Sequence, residues 1–196
     1  MTMKKAVIVV IVLFVLVNLI VIATRGGPGG GKTFGDAKTR DDDTGVLVFY
    51  DDGTSDGKKS IAGSGHAIMF ETPRGKWLLD RVEVFGSRYG TPQAPDEDFF
   101  VYVCDEEMKP VNEFARPYYL FERGQERWYK IPIDAVAVPQ RFYVCLSFNP
   151  ERTKGVYVHY DQSVDESHSR RALPYSTGSP VSAKYDWMIR VHLRKG

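Results

Sequence analysis

From Val46 to the C-terminus no apolar spacing of about 3.6 residues persists beyond two turns, so the chain offers no amphipathic helix on which to build a domain. Short runs rich in Val, Ile, Tyr, Phe and Trp take its place, each closed by turn residues. They predict strands at Val46–Tyr50, His66–Glu71, Trp77–Phe85, Phe99–Cys104, Lys109–Phe114, Arg127–Ile131, Arg141–Phe148, Val156–Tyr160 and Trp187–Leu193. Asp51-Asp52-Gly53, Thr91-Pro92, Arg123-Gly124 and Asn149-Pro150 punctuate them. Met188, Arg190 and His192 alternate with Ile189, Val191 and Leu193, the pattern of a strand with one buried face. Many short strands with regular turns read as an all-β, antiparallel β-sandwich.

The N-terminus is of another kind. Ala6 to Ala23 is uncharged and carries one polar side chain, Asn18. As a helix it would span about 27 Å, close to the hydrocarbon thickness of a bilayer. Lys4 and Lys5 precede it and Arg25 follows, a bias that places the N-terminus in the cytoplasm and the bulk outside. Residues 1–25 thus read as a cytoplasmic stub and transmembrane signal anchor, 26–45 as a glycine-rich and polar tether, and 46–196 as an extracytoplasmic domain. The competing reading is a signal peptide cleaved after Ala23, which leaves the domain secreted. Gly26 to Thr33 formally satisfies a phosphate-loop spacing but lacks the preceding strand and following helix that the mechanism requires.

Residues 1–32 hold four basic and no acidic side chains, which leaves 22 basic against 25 acidic, a net of −3, on residues 33–196. Such a domain has no electrostatic footprint for nucleic acid. The two cysteines, Cys104 and Cys145, both fall inside predicted strands and read either as one disulfide or as two buried thiols.

Three neighbourhoods carry candidate chemistry. Asp51, Asp52 and Asp56, with glycines between them and Asp186 drawn from a distant strand end, are candidate ligands of a structural calcium; the alternative is a pair of Asp-Gly turns. Arg88 and Tyr89 stand beside the acidic loop holding Asp96 and Asp98. Together they offer an aromatic face, a bidentate donor and carboxylates of the kind that bind sugars. His159, Asp161 and His168 border a long polar segment, 161–182, where ordered loops carry function. Gly63-Ser64-Gly65-His66 lacks the geometry of a nucleophile elbow, and its glycines read as packing devices.

Tyr50-Asp51-Asp52-Gly53, Gly57-Lys58-Lys59-Ser60, Gly63-Ser64-Gly65-His66-Ala67 and Phe70-Glu71 open the domain. Phe85-Gly86-Ser87-Arg88-Tyr89-Gly90 follows, then Lys154-Gly155-Val156-Tyr157-Val158 and Asp186-Trp187-Met188-Ile189-Arg190. Over about Val46 to Leu193 this order resembles uncharacterised bacterial exported and membrane-anchored domains of the jelly-roll, galactose-binding-like type. The resemblance implies a jelly-roll sandwich in a superfamily of carbohydrate-binding modules, other accessory domains and enzymes, often with structural calcium. No catalytic motif carries over. The expectation is a non-catalytic module for a carbohydrate or protein partner, held at the membrane through residues 6–23. The alternatives are a hydrolase or metal-dependent enzyme using Asp and His at the sandwich rim, and a structural spacer.

Overall fold

Ile189, Val191 and Leu193 are fully buried while Arg190 and His192 point to the opposite face, and the same alternation runs through Phe99 to Val103 and Tyr129 to Ile133. The structure, a computed structural model, describes residues 33–34, 36–42, 44–176, 178–181 and 184–196. Their elements are β1 (Thr33–Phe34), β2 (Ala37–Asp42), β3 (Gly45–Phe49), β4 (Gly57–Lys59), β5 (His66–Glu71), β6 (Trp77–Gly90), β7 (Asp98–Cys104) and β8 (Pro110–Pro117). There follow β9 (Arg127–Val138), β10 (Arg141–Ser147), β11 (Lys154–Asp161), β12 (Ser169–Arg171), β13 (Ser179–Pro180), β14 (Asp186–Trp187) and β15 (Ile189–Lys195). Among the described residues the helical content is one 3-10 turn, Tyr118–Leu120, and no helix is long and apolar enough to cross a membrane. The apolar run 6–23 lies outside the described residues.

The strands form two antiparallel sheets. The larger runs β1-β2-β3-β15-β6-β11-β14, with β4 added on β11 and β9 on β6; the smaller runs β13-β12-β5-β10-β7-β8. Strand β6 is the spine of the first: its fourteen residues hold β9 along one edge and β15, then β11, along the other. The inner faces share one core. Val82, Val84, Val156, Val158, Ile189, Val191 and Leu193 of the larger sheet meet Ile68, Phe70, Phe99, Val101, Val103, Phe142, Val144 and Leu146 of the smaller. Each such side chain, fully buried, contributes about 1.5–3 kcal/mol, and the shared layer makes the architecture sandwich-like.

One difference from the sequence reading, and the choice it left open at the cysteines, have local causes. Residues 37–42, polar enough to read as tether, form β2 against β3. Ala37 sits in the core at 1% exposure, while Arg40 and Asp41 face solvent; a charged outer face is usual near a sheet edge. The hairpin closes on Asp42, whose carboxylate accepts the N–H groups of Thr44 and Gly45, each at 2.9 Å. The cysteines are free. Strand β7 pairs Cys104 with Tyr143 and Cys145 with Tyr102, two positions out of step. They are therefore diagonal neighbours, about 7–8 Å apart rather than the roughly 3.8 Å between Cβ atoms that a disulfide needs. Both lie on the outer face of the smaller sheet, under a cap formed by Met108 and Ala172, and Cys145 Sγ donates to the Ala172 carbonyl at 3.0 Å. Burial pushes the Cys104 thiol up to about 12 and raises that of Cys145. Gly65 admits this cap: a Cβ there would meet the Ala172 carbonyl and Cys145 Sγ within 3 Å.

The most desolvated ion pair joins Asp51 to Arg190. Arg190 Nε donates to Asp51 Oδ2 at 3.0 Å and Nη2 to Oδ1. The guanidinium lies 3.9 Å from the Trp128 ring centroid and 4.5 Å from that of Phe49. Removing one partner strands the other's charge. Asp51→Ala is expected to cost about 3–5 kcal/mol in urea unfolding of residues 32–196, with the double variant Asp51→Ala/Arg190→Met recovering much of it; a double loss equal to the sum of the two single losses would show that the pair is not coupled.

His66 gives the fold an acid limit. Its ring is wedged edge-on to Trp187 and Phe148, its Nε2–H donates to the Lys59 carbonyl at 3.2 Å, and its Nδ1 has no partner. Burial holds its pKa down to about 4, against about 6.5 in an unfolded chain. The unfolded state therefore binds the extra proton first, and stability falls as pH drops from about 6.5 towards 4. The pH dependence of unfolding across that window should flatten in His66→Gln; an unchanged slope would place the acid sensitivity elsewhere.

Candidate functional site

The long segment after β11 folds back over the start of β2 and encloses a cleft of about 100 Å³ lined by Asp36, Lys38, Tyr50, Ser163, Val164, Asp165, Glu166, His168 and Asp186. That volume is room for about three waters, enough for a small polar group such as a side-chain terminus or the hydroxyl edge of a ring.

At its centre His168 is held on every side. Its ring stacks on Tyr50 with centroids 3.8 Å apart and planes 7° from parallel. Nδ1 meets Asp186 Oδ2 at 2.9 Å and Nε2 meets Asp36 Oδ2 at 3.0 Å. Asp186, fully buried on β14, also accepts the His168 N–H at 2.7 Å and the Ser167 hydroxyl at 3.3 Å. Burial works to lower the His168 pKa, but the hydrogen bond and charge of Asp186, then the charges of Asp36 and Glu166, lift it above its ordinary value. The imidazole is thus biased toward the cation. Tyr50 is shifted up by burial and by Asp36, Asp186 and Glu71, and stays a neutral phenol.

The rear wall is stapled by the aspartate-rich loop after β3. The Asp52 N–H donates to Asp161 Oδ2, the Gln162 N–H to Asp56 Oδ2 at 2.7 Å, and the Ser163 N–H to Asp161 Oδ1 at 2.7 Å. Lys38 Nζ reaches the Asp51 carbonyl at 3.1 Å.

Each aspartate of the candidate calcium set has a protein partner of its own. Asp51 is neutralised by Arg190, Asp52 accepts the Thr54 N–H in a local turn at 2.7 Å, Asp56 holds Gln162, and Asp186 holds His168 and Ser167. The four carboxylates share none of these partners. Among the described residues no group of three or more His, Cys, Asp or Glu is arranged to hold a metal ion. Asp186 is the partner of the His168 ring.

The Arg88 neighbourhood is likewise internal. Arg88 is 4% exposed and donates to the carbonyls of Thr91 and Pro92 at 2.7 Å and of Gln93 and Phe121 at 3.3 Å. Those four bonds shape the loop that follows and leave no fork for a ligand. Burial and the charge of Arg123 lower its pKa. Tyr89 donates to the Glu151 carbonyl at 3.1 Å and packs on Tyr157. Asp96 and Asp98 are exposed, away from Arg88's donors.

Of the other histidines, His159 pairs through Nδ1 with Ser55 Oγ at 2.5 Å, and that hydroxyl also lies 3.3 Å from the Gly57 carbonyl. Burial lowers the His159 pKa. His192 lies between Asp80 at 2.6 Å and Asp42 at 3.0 Å and ties β15 to the β2–β3 hairpin.

The sequence singled out His168, Asp161 and the loop after β11, but not Asp36, Lys38, Tyr50 or Glu166. Asp36 and Lys38 fall in residues whose polarity read as tether, and nothing local marks Tyr50 as the platform beneath a histidine 118 positions away.

With the aspartates so committed, excess calcium or a chelator is expected to leave the thermal midpoint of residues 32–196 unmoved; a chelator-reversible rise of several degrees would restore the ligand reading.

No family model matches this chain, and no curated protein does. Among solved structures it is similar to the clostridial cysteine protease Cwp84 after propeptide cleavage, with a TM-score of 0.51 and 15% identity over 84% of this chain and 42% of that one. It also matches a structure of the cysteine protease and lectin-like domains of Cwp84, a surface layer associated protein of Clostridium difficile, with a TM-score of 0.48 and 12% identity over 84% of this chain and 37% of that one. The chain spans less than half the length of either. At such identity the likeness concerns the fold alone.

Proposed function

We propose that this protein is a non-catalytic binding module of jelly-roll type for a carbohydrate or protein partner, displayed outside the cytoplasm on an anchor formed by residues 6–23. The observation that carries the binding role is the cleft around His168. Charged and hydroxyl groups converge there from β2, the end of β3, the loop after β11 and β14, on a rigid antiparallel frame. Asp165 and Glu166 accept hydroxyls or cations, and His168 and Lys38 donate. The jelly-roll assignment and the anchor rest on the sequence resemblance and on the apolar run.

One arrangement favours a hydrolase as a second reading. His168 is oriented through Nδ1 by a buried carboxylate, and its Nε2 would serve as a general base once Asp36 and the Nε2 proton have left it. The binding reading expects retention without turnover; the hydrolase reading expects turnover that fails in His168→Gln.

The test is a panel of glycans and candidate surface proteins applied to the full chain in detergent. Retention of at least one class is expected, with Glu166→Ala and His168→Ala each weakening it about tenfold or more, near 1.4 kcal/mol. No retention anywhere, together with turnover of a substrate, would overturn the binding reading in favour of the enzyme.

A further inference from the structure

The two carboxylates on His168 are not equivalent. Asp186 is fully buried on β14 and, besides the His168 ring, accepts two further hydrogen bonds, from the Ser167 hydroxyl and the His168 N–H. Asp36 comes from the turn between β1 and β2, its side chain is 58% exposed, and its contact with His168 Nε2 at 3.0 Å lies at the mouth of the cleft. The inner carboxylate is fixed with the frame, and the outer one is carried on a hairpin tip.

Strand β2 is fastened differently at its two ends. At the far end Asp42 meets His192 Nε2 at 3.0 Å and caps the β2–β3 turn. Along its length β2 pairs with β3 from Lys38 to Asp42. Ahead of Lys38 the pairing with β3 stops, and Asp36 is tied across to His168.

We infer that the turn carrying Asp36 is a latch over the cleft, closed by the Asp36–His168 pair and opened when that pair breaks. The inference deepens the binding reading, since it supplies the regulation of the same cleft. While His168 is protonated, a ligand carboxylate that displaces Asp36 takes over its Nε2–H bond; once the proton is lost and Asp36 withdraws, Nδ1–H stays on Asp186 and Nε2 becomes an acceptor at the mouth for a ligand hydroxyl.

The pair is strongest while His168 is protonated. Its charge is faced by Asp186 from β14, Asp36 from the β1–β2 turn and Glu166 from its own loop, with Lys38, Asp165 and Tyr50 completing the walls. Because the folded value is raised, the latch is fully closed below about pH 6.5, the ordinary imidazole value, and loosens as pH rises through the folded one.

Hydrogen exchange of the full chain in detergent tests this without any ligand. After correction for the intrinsic rate, peptides covering 33–42 should exchange about tenfold faster at pH 8.5 than at pH 5.5, while those of β5 and β10 do not change. Asp36→Asn, a surface substitution, should exchange fast at both values, and so should His168→Gln. Equal protection of the wild type at the two pH values would overturn the latch, as would Asp36→Asn with the wild-type response. Protection of β5 and β10 reports whether each variant folds, and Asp36→Asn alone decides if His168→Gln does not. A positive exchange result beside a negative ligand panel would sink the binding reading and not the latch.

Discussion

Asp51 and Arg190 form the contact from which the cleft is built. An arginine on the outer face of a central strand would ordinarily stay in water. Here its guanidinium is stacked between Trp128 and Phe49, and that desolvation is tolerable only with a bidentate carboxylate in place. Fixing Asp51 fixes the chain that follows β3. The Asp51 carbonyl then receives Lys38, the Asp52 N–H reaches Asp161, and Asp56 receives the Gln162 N–H. An ion pair on the larger sheet thus holds the loop that forms the back wall of the site. Such a buried pair is weak evidence of net stability, but its directional geometry positions what is attached to it.

Much of the strand pattern was legible in the sequence, since period-two burial against a shared core leaves a period-two signature. His66–Glu71 matches the observed strand at both ends, and Ile189, Val191 and Leu193 fall on the inner face as their alternation requires. The missed strands are those that bury little. β4 is three residues of Gly and Lys added on β11, and β12 is three residues of Ser and Arg added on β5; both are held by backbone bonds rather than by apolar side chains. β2 escaped for a related reason. One small apolar residue, Ala37, is all that marks its inner face at the start, and its neighbours are charged.

The site was less legible, because residue type does not say with whom a charge is paired. Asp-Asp-Gly followed by Asp-Gly has the composition of a cation loop and of a set of turns alike. Here long-range partners decide between them: Arg190 for Asp51, Gln162 for Asp56 and His168 for Asp186. Arg88 illustrates the same point. Next to a tyrosine and three acids it suggests recognition, yet its donors close on four backbone carbonyls of the loops around it. A buried arginine that bonds only carbonyls is a loop clamp, and no local pattern distinguishes it from a ligand-binding one.

The histidines show how environment alone assigns four roles to one side chain. His66 has aromatic edges and a single carbonyl acceptor, so it is held neutral. His159 lies under Phe85 beside a serine hydroxyl, with its pKa lowered by burial. His192 is enclosed between two carboxylates at 1% exposure, a structural clasp that ties a hairpin to the sheet. His168 also has two carboxylates, but its outer one, Asp36, lies ahead of the β2–β3 pairing at the mouth of a cleft, whereas Asp42 ends a strand paired with β3. The difference between clasp and latch is therefore not in the imidazole or in its pairing. It lies in whether the second carboxylate can leave without taking the sheet apart, and of these two pairs the Asp36 contact is the one that meets that condition.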